Sequence, residues 1–177
     1  MHEEAHRVAS KYSQLDIKVL QQDGVGKADA VYKAFDNARG DVLMILDADL
    51  TMPPEELYKF WDAISSGQGE YINGSRLVYP MDKDAMRFLN LIANHIFSII
   101  FSWLLNQRYT DTLCGTKVLF RSDYINVKNN QSYFGDFDPF GDFYLIFGSS
   151  KLNLKMIEIP IRYRARNYGS TQISRFK

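Results

Sequence analysis

Along the chain, apolar residues recur at helical spacing in some stretches and run without interruption in others, and the two patterns take turns. Ala5, Val8 and Tyr12 keep one face apolar through the first dozen residues, and Ile17 to Leu20 is a short β-branched run after Asp16. That order predicts a helix and then a strand. Ala30, Val31, Ala34, Phe35 and Ala38 repeat at three and four, with Gly40 where a helix C-terminal cap belongs, so a second helix follows. Val42 to Leu46 is apolar throughout and stops at Asp47, as expected of a strand covered on both faces in a parallel sheet. Thr51 is placed to cap the helix that Pro53, Pro54 and Glu55 open, and Leu57, Phe60, Trp61 and Ile64 form its inner face before SSGQG ends it.

Tyr71 to Ser75 reads as a further strand, followed by a polar loop around Pro80 and a long apolar helix from about Ala85 to Leu105. Thr116 to Phe120 predicts a strand and Pro139 to Phe147 a short helix; KLNLKMIEIPIRYR then alternates like an edge strand interrupted by Pro160, and the tail from Arg164 is loop-like. There is no internal repeat, low-complexity tract or Gly/Ser linker. Helices alternating with strands imply an open α/β sheet flanked by helices, in a single domain over residues 1–177. The stretch from 88 to 105 barely reaches a bilayer span and is interrupted by Asn90, Asn94, His95, Ser98 and Ser102. It reads as a buried or membrane-surface helix rather than a crossing.

Composition narrows the picture. With 46% hydrophobic, 14% aromatic and 24% charged residues the chain is that of a folded domain. Lys plus Arg equals Asp plus Glu at 21 each, so no global field recruits nucleic acid and any ligand electrostatics are local. Cys114 is the only cysteine, which excludes an intramolecular disulfide and suits a reducing compartment. The opening MHEEAHRVASKYSQ lacks the apolar core of a secretory signal.

Two carboxylates carry the first candidate chemistry. Asp47 and Asp49 follow the buried strand directly, at the carboxyl end of a strand, where open sheets bind ligands. In an extended segment residues two apart face one side, and two hard carboxylates there suit Mg²⁺ or Mn²⁺ bridging to a diphosphate. The plainer reading, in which Asp49 and Thr51 only satisfy backbone donors before the helix, is disfavoured by the placement straight after GDVLMIL. Gly24, Gly26 and Lys27 do not make a phosphate loop, because Gln21 and Ala28 stand where that motif needs Gly and Ser or Thr. Lys27 is either a solvated charge or a side chain near a nucleotide at a helix N-terminus.

GKADAVYKAFDNARGDVLMILDADL resembles the donor-site segment of family 2 glycosyltransferases. GSRL at 74–77, the helix Arg87 to Asn94, DTLCGTKVLFR at 111–121 and EIPIRYRARNYGSTQIS at 158–174 resemble, in that order, dolichyl-phosphate mannose synthases and bacterial polyprenyl-phosphate sugar transferases. The resemblance implies a GT-A-type nucleotide-sugar fold with an open mixed sheet and an inverting, metal-assisted hexosyl transfer. By that likeness Asp47 and Asp49 hold Mg²⁺ or Mn²⁺ and the diphosphate of a GDP- or UDP-hexose, with Lys27 beside the nucleotide. Arg76 and Arg87 lie near the acceptor phosphate, and Arg166 belongs to a loop closing over the site. The chain departs from the pattern in three places. It lacks the opening strand with a Pro-x-Tyr-Asn-Glu-like motif and the Asp-Gly-Ser-like turn; it has Thr51 where Gln often assists the metal; and it has GSTQ at 169–172 in place of Gly-x-Ser-Lys. The expectation is a domain without its first strand and without the membrane helices that many such relatives append, a fragment of a longer transferase.

The acceptor decides what else is needed. A sugar hydroxyl must lose a proton, which would fall to Asp142 or Asp111. A lipid phosphate is already an anion and needs arginines instead, for which Arg76, Arg87, Arg164 and Arg166 are suitably typed. Phe88, Leu91, Ile92, Ile96, Ile99, Ile100, Trp103 and Leu104 read as core first and as a bilayer-resting face second, with Trp103 and Arg108 suited to an interface. His95 reads as structural, Cys114 as a small buried residue, and Asp136, Asp138 and Asp142 as turn charges before a second metal cluster. The favoured expectation is transfer of a hexosyl group to a polyprenyl or dolichyl phosphate by an enzyme peripheral to the cytoplasmic face of a membrane. Transfer to a hydroxyl with Asp142 as base, and a silent fragment with an association-prone sheet edge, are the alternatives.

Overall fold

The computed structural model describes residues 2–80, 88–130 and 142–165. Strands β1 (Val42–Met44), β2 (Tyr71–Ser75), β3 (Lys117–Phe120) and β4 (Met156–Pro160) form one sheet in the order β1-β3-β2-β4. β3 is antiparallel to both β1 and β2, and β4 is parallel to β2. The open mixed sheet flanked by helices is the expected architecture, but the parallel neighbour expected for Val42 to Leu46 is corrected: Val42 lies opposite Phe120 on an antiparallel partner. The run is apolar because both sheet faces are covered, whatever the direction of its neighbour.

The helices are α1 (His2–Lys11), α2 (Lys27–Asn37), α3 (Leu57–Ser65, entered through a 3-10 turn at Pro54–Glu56), α4 (Phe88–Leu104), α5 (Arg121–Asn129) and α6 (Asp142–Lys151). Strand alternation sorts the core into two layers. Leu43, Tyr71, Leu119 and Met156 pack with Phe35 of α2, Tyr124 and Val127 of α5, Leu145 and Ile146 of α6 and Phe101 of α4. Ile72 and Val118 face the other way, onto Phe60, Ala63 and Ile64 of α3 and onto Ile161.

Several expectations are corrected by this fold. Ile17 to Leu20 forms no strand. Among the described residues nothing pairs with it, Ile17 and Leu20 are exposed, and extended backbone without a ladder partner gains nothing from β-branching. α1 forms but buries none of its residues. Trp61 is exposed rather than on the inner face of α3, and Thr51 does not cap that helix; its hydroxyl goes to Asp49. α2 ends at Asn37 with an extended Ala38, short of Gly40. α5 has only Tyr124 and Val127 buried, too few apolar positions to announce a helix. Pro160 closes β4 on the outer edge of the sheet, where a missing N–H does least harm.

α4 is the largest correction. Its buried positions include Asn94 and Ser98, whereas Ile96, Ile99, Ile100, Trp103 and Leu104 are exposed, Ile99 to 70% and Trp103 to 81%. Positions 92, 96, 99 and 103 share one helical face and 94, 98 and 101 the opposite one. The helix therefore turns a mixed face inward, Phe101 into the core beside Asn94 and Ser98, and leaves a largely apolar face outward, unlike an ordinary surface helix.

Candidate functional site

Because β1, β2 and β4 run in one direction and β3 in the other, the C-terminal ends of the first three and the N-terminal end of β3 share one edge of the sheet. The chemistry-bearing residues gather there. Beyond β1 one more ladder-like bond, Ile45 N–H to Lys117 O at 3.0 Å, holds the chain against β3. A turn follows in which Leu50 N–H reaches the Asp47 carbonyl at 3.4 Å. Leu50 adopts φ 54°, a left-handed conformation that costs a non-glycine residue about 1–2 kcal/mol. Asp47 and Asp49 thus sit on a strained turn, not on an extended segment with alternating faces.

Each carboxylate has its own partner. Asp47 receives the Lys27 ammonium, which lies 2.9 Å from Oδ1 and 3.2 Å from Oδ2. Asp49 Oδ1 accepts the Thr51 amide at 3.1 Å and the Thr51 hydroxyl at 2.8 Å, which is the plain backbone-satisfying role weighed for this pair. Burial opposes the charge on Lys27, but the carboxylates of Asp142 and Asp47 outweigh it and hold the ammonium above its ordinary range. Gly115, just before β3, lies against this pair: a Cβ there would overlap Asp47 Oδ2 and stand 2.5 Å from Lys27 Nζ. A larger residue there would have to push the Lys27 ammonium and the Asp47 carboxylate aside.

The donor set fits a hard divalent cation in one respect and constrains it in another. Asp47 supplies carboxylate oxygens beside Gly115 and Asp49 follows two residues on in the same turn, and Mg²⁺ or Mn²⁺ takes one or two protein carboxylates with the rest from phosphates and water. Among the described residues no group of three or more His, Cys, Asp or Glu side chains gathers to hold a metal. The protein alone therefore offers an incomplete shell, which a diphosphate would complete.

A second cluster stands at the end of β2. Asp111 is fully buried and accepts five donors: Arg76 N at 3.0 Å, Arg76 Nε at 2.6 Å and Nη2 at 2.8 Å, Asn94 Nδ2 at 2.7 Å, and Leu113 N at 3.1 Å. Burial pushes the Asp111 carboxyl up, but the bidentate Arg76 guanidinium outweighs it and holds it below the usual aspartate range. Burial likewise opposes the charge on Arg76, and Asp111 raises it well above the ordinary value. Arg76 is accordingly a held fork with a 13% exposed side chain, not a loose surface cation. Glu158 of β4 braces the loop beneath it, accepting from Thr110 N and Oγ1, Asp111 N and Asn73 Nδ2.

The segment after β4 ties the two clusters together. Ile161 N–H donates to Ser75 O at 2.9 Å, the Tyr163 ring lies 5.2 Å from Arg76 Cζ, and Arg164 N–H donates to Thr51 O at 2.8 Å. Of the residues singled out from sequence, Lys27, Asp47, Asp49, Arg76 and Arg164 are assembled on this edge. Arg87, Arg166, Asp136 and Asp138 lie outside the described residues. Of the two carboxylates considered as a base, Asp111 is committed to Arg76, and Asp142 is ion-paired with the fully buried Lys117 at 2.9 Å. His95 is exposed and Cys114 is buried, the latter as expected. Sequence reading passed over Asn94, Gly115, Lys117, Glu158 and Tyr163. A signal existed for two of them: Lys117 and Glu158 are charges inside strand-forming apolar runs.

The family model described as Glycosyl transferase family 2 matches residues 3–129. A protein named Dolichol-phosphate mannosyltransferase from Pyrococcus furiosus is 40% identical over 76 residues, covering 43% of this chain and 21% of that protein. Two Haloferax volcanii proteins match over longer stretches: Low-salt glycan biosynthesis hexosyltransferase Agl6 is 27% identical over 162 residues (89% of this chain, 37% of that protein), and Glycosyltransferase AglD is 22% identical over 151 residues (85% and 23%). The chain thus spans between about a fifth and two fifths of the length of these relatives.

Proposed function

The chain belongs to glycosyl transferase family 2, and from that premise we propose that it moves a hexosyl group, with inversion, from a nucleotide-diphosphate sugar to a polyprenyl or dolichyl phosphate at a membrane surface. One observation carries the reading: an acidic turn with its lysine and a braced arginine fork share one edge of the sheet, within reach of a helix whose exposed face is apolar. Asp47 and Asp49 would hold Mg²⁺ or Mn²⁺, which when bound neutralises charge on the leaving diphosphate. Lys27 adds a positive charge beside the donor phosphates. Arg76 meets the acceptor phosphate with the Nη1 edge that Asp111 leaves unused, and Tyr163 and Asp111 keep the fork from swinging. Because Asp111 neutralises Arg76, further cations are needed on the acceptor, a task for Arg164, whose backbone is pinned to the Asp49–Thr51 turn, and for Arg87 and Arg166. The relative named for dolichol-phosphate mannosyl transfer supports this acceptor class.

The decisive assay supplies GDP- and UDP-hexoses, Mn²⁺ or Mg²⁺, and dolichyl phosphate in phospholipid vesicles, and separates lipid-linked from soluble sugar. Sugar on the lipid phosphate is the expected outcome. Nucleotide release with sugar appearing only on soluble hydroxyls would sink the lipid-phosphate reading.

Membrane contact is proposed through α4. No helix among the described residues is long and apolar enough to cross a membrane, so its outward apolar face suits lying in the interface. Ile99→Glu with Trp103→Glu is expected to weaken binding to the same vesicles by at least about tenfold, since a fully buried large apolar side chain is worth about 1.5–3 kcal/mol. Folding stability should change by no more than about 0.5 kcal/mol, because both side chains are exposed in the free protein. Cosedimentation read beside a urea melt tests both halves; unchanged vesicle binding would remove α4 from the membrane contact.

A further inference from the structure

The Lys27–Asp47 pair poses a chemical question whose resolution rests on the donor-site reading proposed above. If Asp47 is a ligand for a divalent cation, its carboxylate is already spoken for: the Lys27 ammonium bridges both oxygens, at 2.9 and 3.2 Å. Two cations cannot share one carboxylate edge without strong repulsion at a separation of a few ångströms. On the Gly115 side the pair leaves no room, since even a methyl group there would collide with both partners, and the Asp47 carboxylate is open elsewhere, its side chain 41% exposed. Lys27 also has somewhere else to go. It is the first residue of α2, so an anion drawn to that helix N-terminus would meet its ammonium.

We propose that Lys27 is a resident competing cation: it holds Asp47 until a nucleoside diphosphate binds, then transfers its ammonium to the phosphates and releases Asp47 to the divalent cation. Metal and nucleotide binding are thereby coupled, with weak metal binding alone and strong binding together. By reciprocity the nucleotide gains as much from the metal as the metal gains from the nucleotide.

The test measures Mn²⁺ affinity, by electron paramagnetic resonance of free Mn²⁺, for the unaltered chain, Lys27→Met and Lys27→Arg, each with and without UDP or GDP. Lys27→Met is expected to bind Mn²⁺ alone about fivefold more tightly, the ratio that ~1 kcal/mol of lost competition gives at about 1.4 kcal/mol per decade. The factor by which nucleotide strengthens Mn²⁺ binding should fall in Lys27→Met by at least the same fivefold, while Lys27→Arg, which keeps the charge, should behave as the unaltered chain. Equal or weaker Mn²⁺ binding by Lys27→Met overturns the competition. Tighter binding with an undiminished nucleotide effect overturns the transfer of the ammonium to phosphate. Thermal melts establish that all three chains are folded; if they are, and none binds Mn²⁺ even with nucleotide, the donor-site reading itself falls and the inference falls with it.

Discussion

Asp111→Asn is expected to lower stability by about 3–5 kcal/mol, the usual cost of removing one partner from a buried ion pair. The size follows from what the carboxylate does. It is fully buried and accepts five hydrogen bonds from three places in the chain: Arg76 after β2, Asn94 in α4, and Leu113 before β3. An asparagine keeps the shape but has one acceptor oxygen, and it turns an NH₂ group toward donors that already need acceptors. Arg76, with a side chain only 13% exposed, is left charged and unpaired. For a chain of this length the loss corresponds to a fall in Tm of about 6–20 °C. A loss under about 1 kcal/mol in urea unfolding would show that Arg76 re-solvates freely and that the fork is not braced.

The same pair sets part of the acid response. Asp111 titrates lower in the folded protein than in the unfolded chain. Its contribution is therefore complete above the ordinary aspartate value of about 4 and is lost as the pH falls through its lower folded value. Glu158 works the other way: burial raises it, so keeping it ionised in the fold costs stability above its raised value, and that cost is relieved on acidification. Stability should accordingly hold or rise slightly as pH drops through the upper carboxylate range and decline only below about pH 4, and Asp111→Asn should remove that late decline.

Local pattern was a good guide wherever burial and local propensity agreed. The apolar run ending at Asp47 placed the acidic turn at a strand's end, and Tyr71 to Ser75 is a strand with the bounds its composition implied. Pattern misled where a partner decides the outcome. Ile17 to Leu20 carries strand chemistry but has no ladder partner among the described residues, and Ile17 and Leu20 are exposed. α4 misled in the opposite sense. Its apolar residues suggested core, but the inward side is shared by Phe101 with Asn94, which serves Asp111, and Ser98, so most of the apolar residues face out. Neither the Lys27–Asp47 contact across 20 positions nor the Arg76–Asp111 contact across 35 has a local signature. The residue types were visible in sequence, while their pairing is a property of the fold.

Lys117→Met is the second large effect, also expected at about 3–5 kcal/mol, and it bears directly on which acceptor the site serves. Lys117 is fully buried, its ammonium lies 2.9 Å from Asp142 Oδ1, and it also donates to the Cys114 carbonyl. Methionine preserves most of the side-chain volume, so the loss isolates the charge: the Asp142 carboxylate, at 9% exposure, loses its ion-pair partner and keeps only the more distant Lys27. Pairing Lys117→Met with Asp142→Asn removes both charges and should recover about 1–3 kcal/mol of the single loss as coupling in a double-mutant cycle. The single change Asp142→Asn then reads out the chemistry. A general base must give up its ion pair to take a proton, and removing a working one slows turnover by about 10²–10⁴. Attack by a phosphate oxygen needs no base, so Asp142→Asn is expected to keep transfer to dolichyl phosphate within about tenfold, the residual loss reflecting the support Asp142 lends to the Lys27 charge. A loss of about a hundredfold or more, in a variant shown by melting to be folded, would overturn the phosphate acceptor in favour of a hydroxyl one.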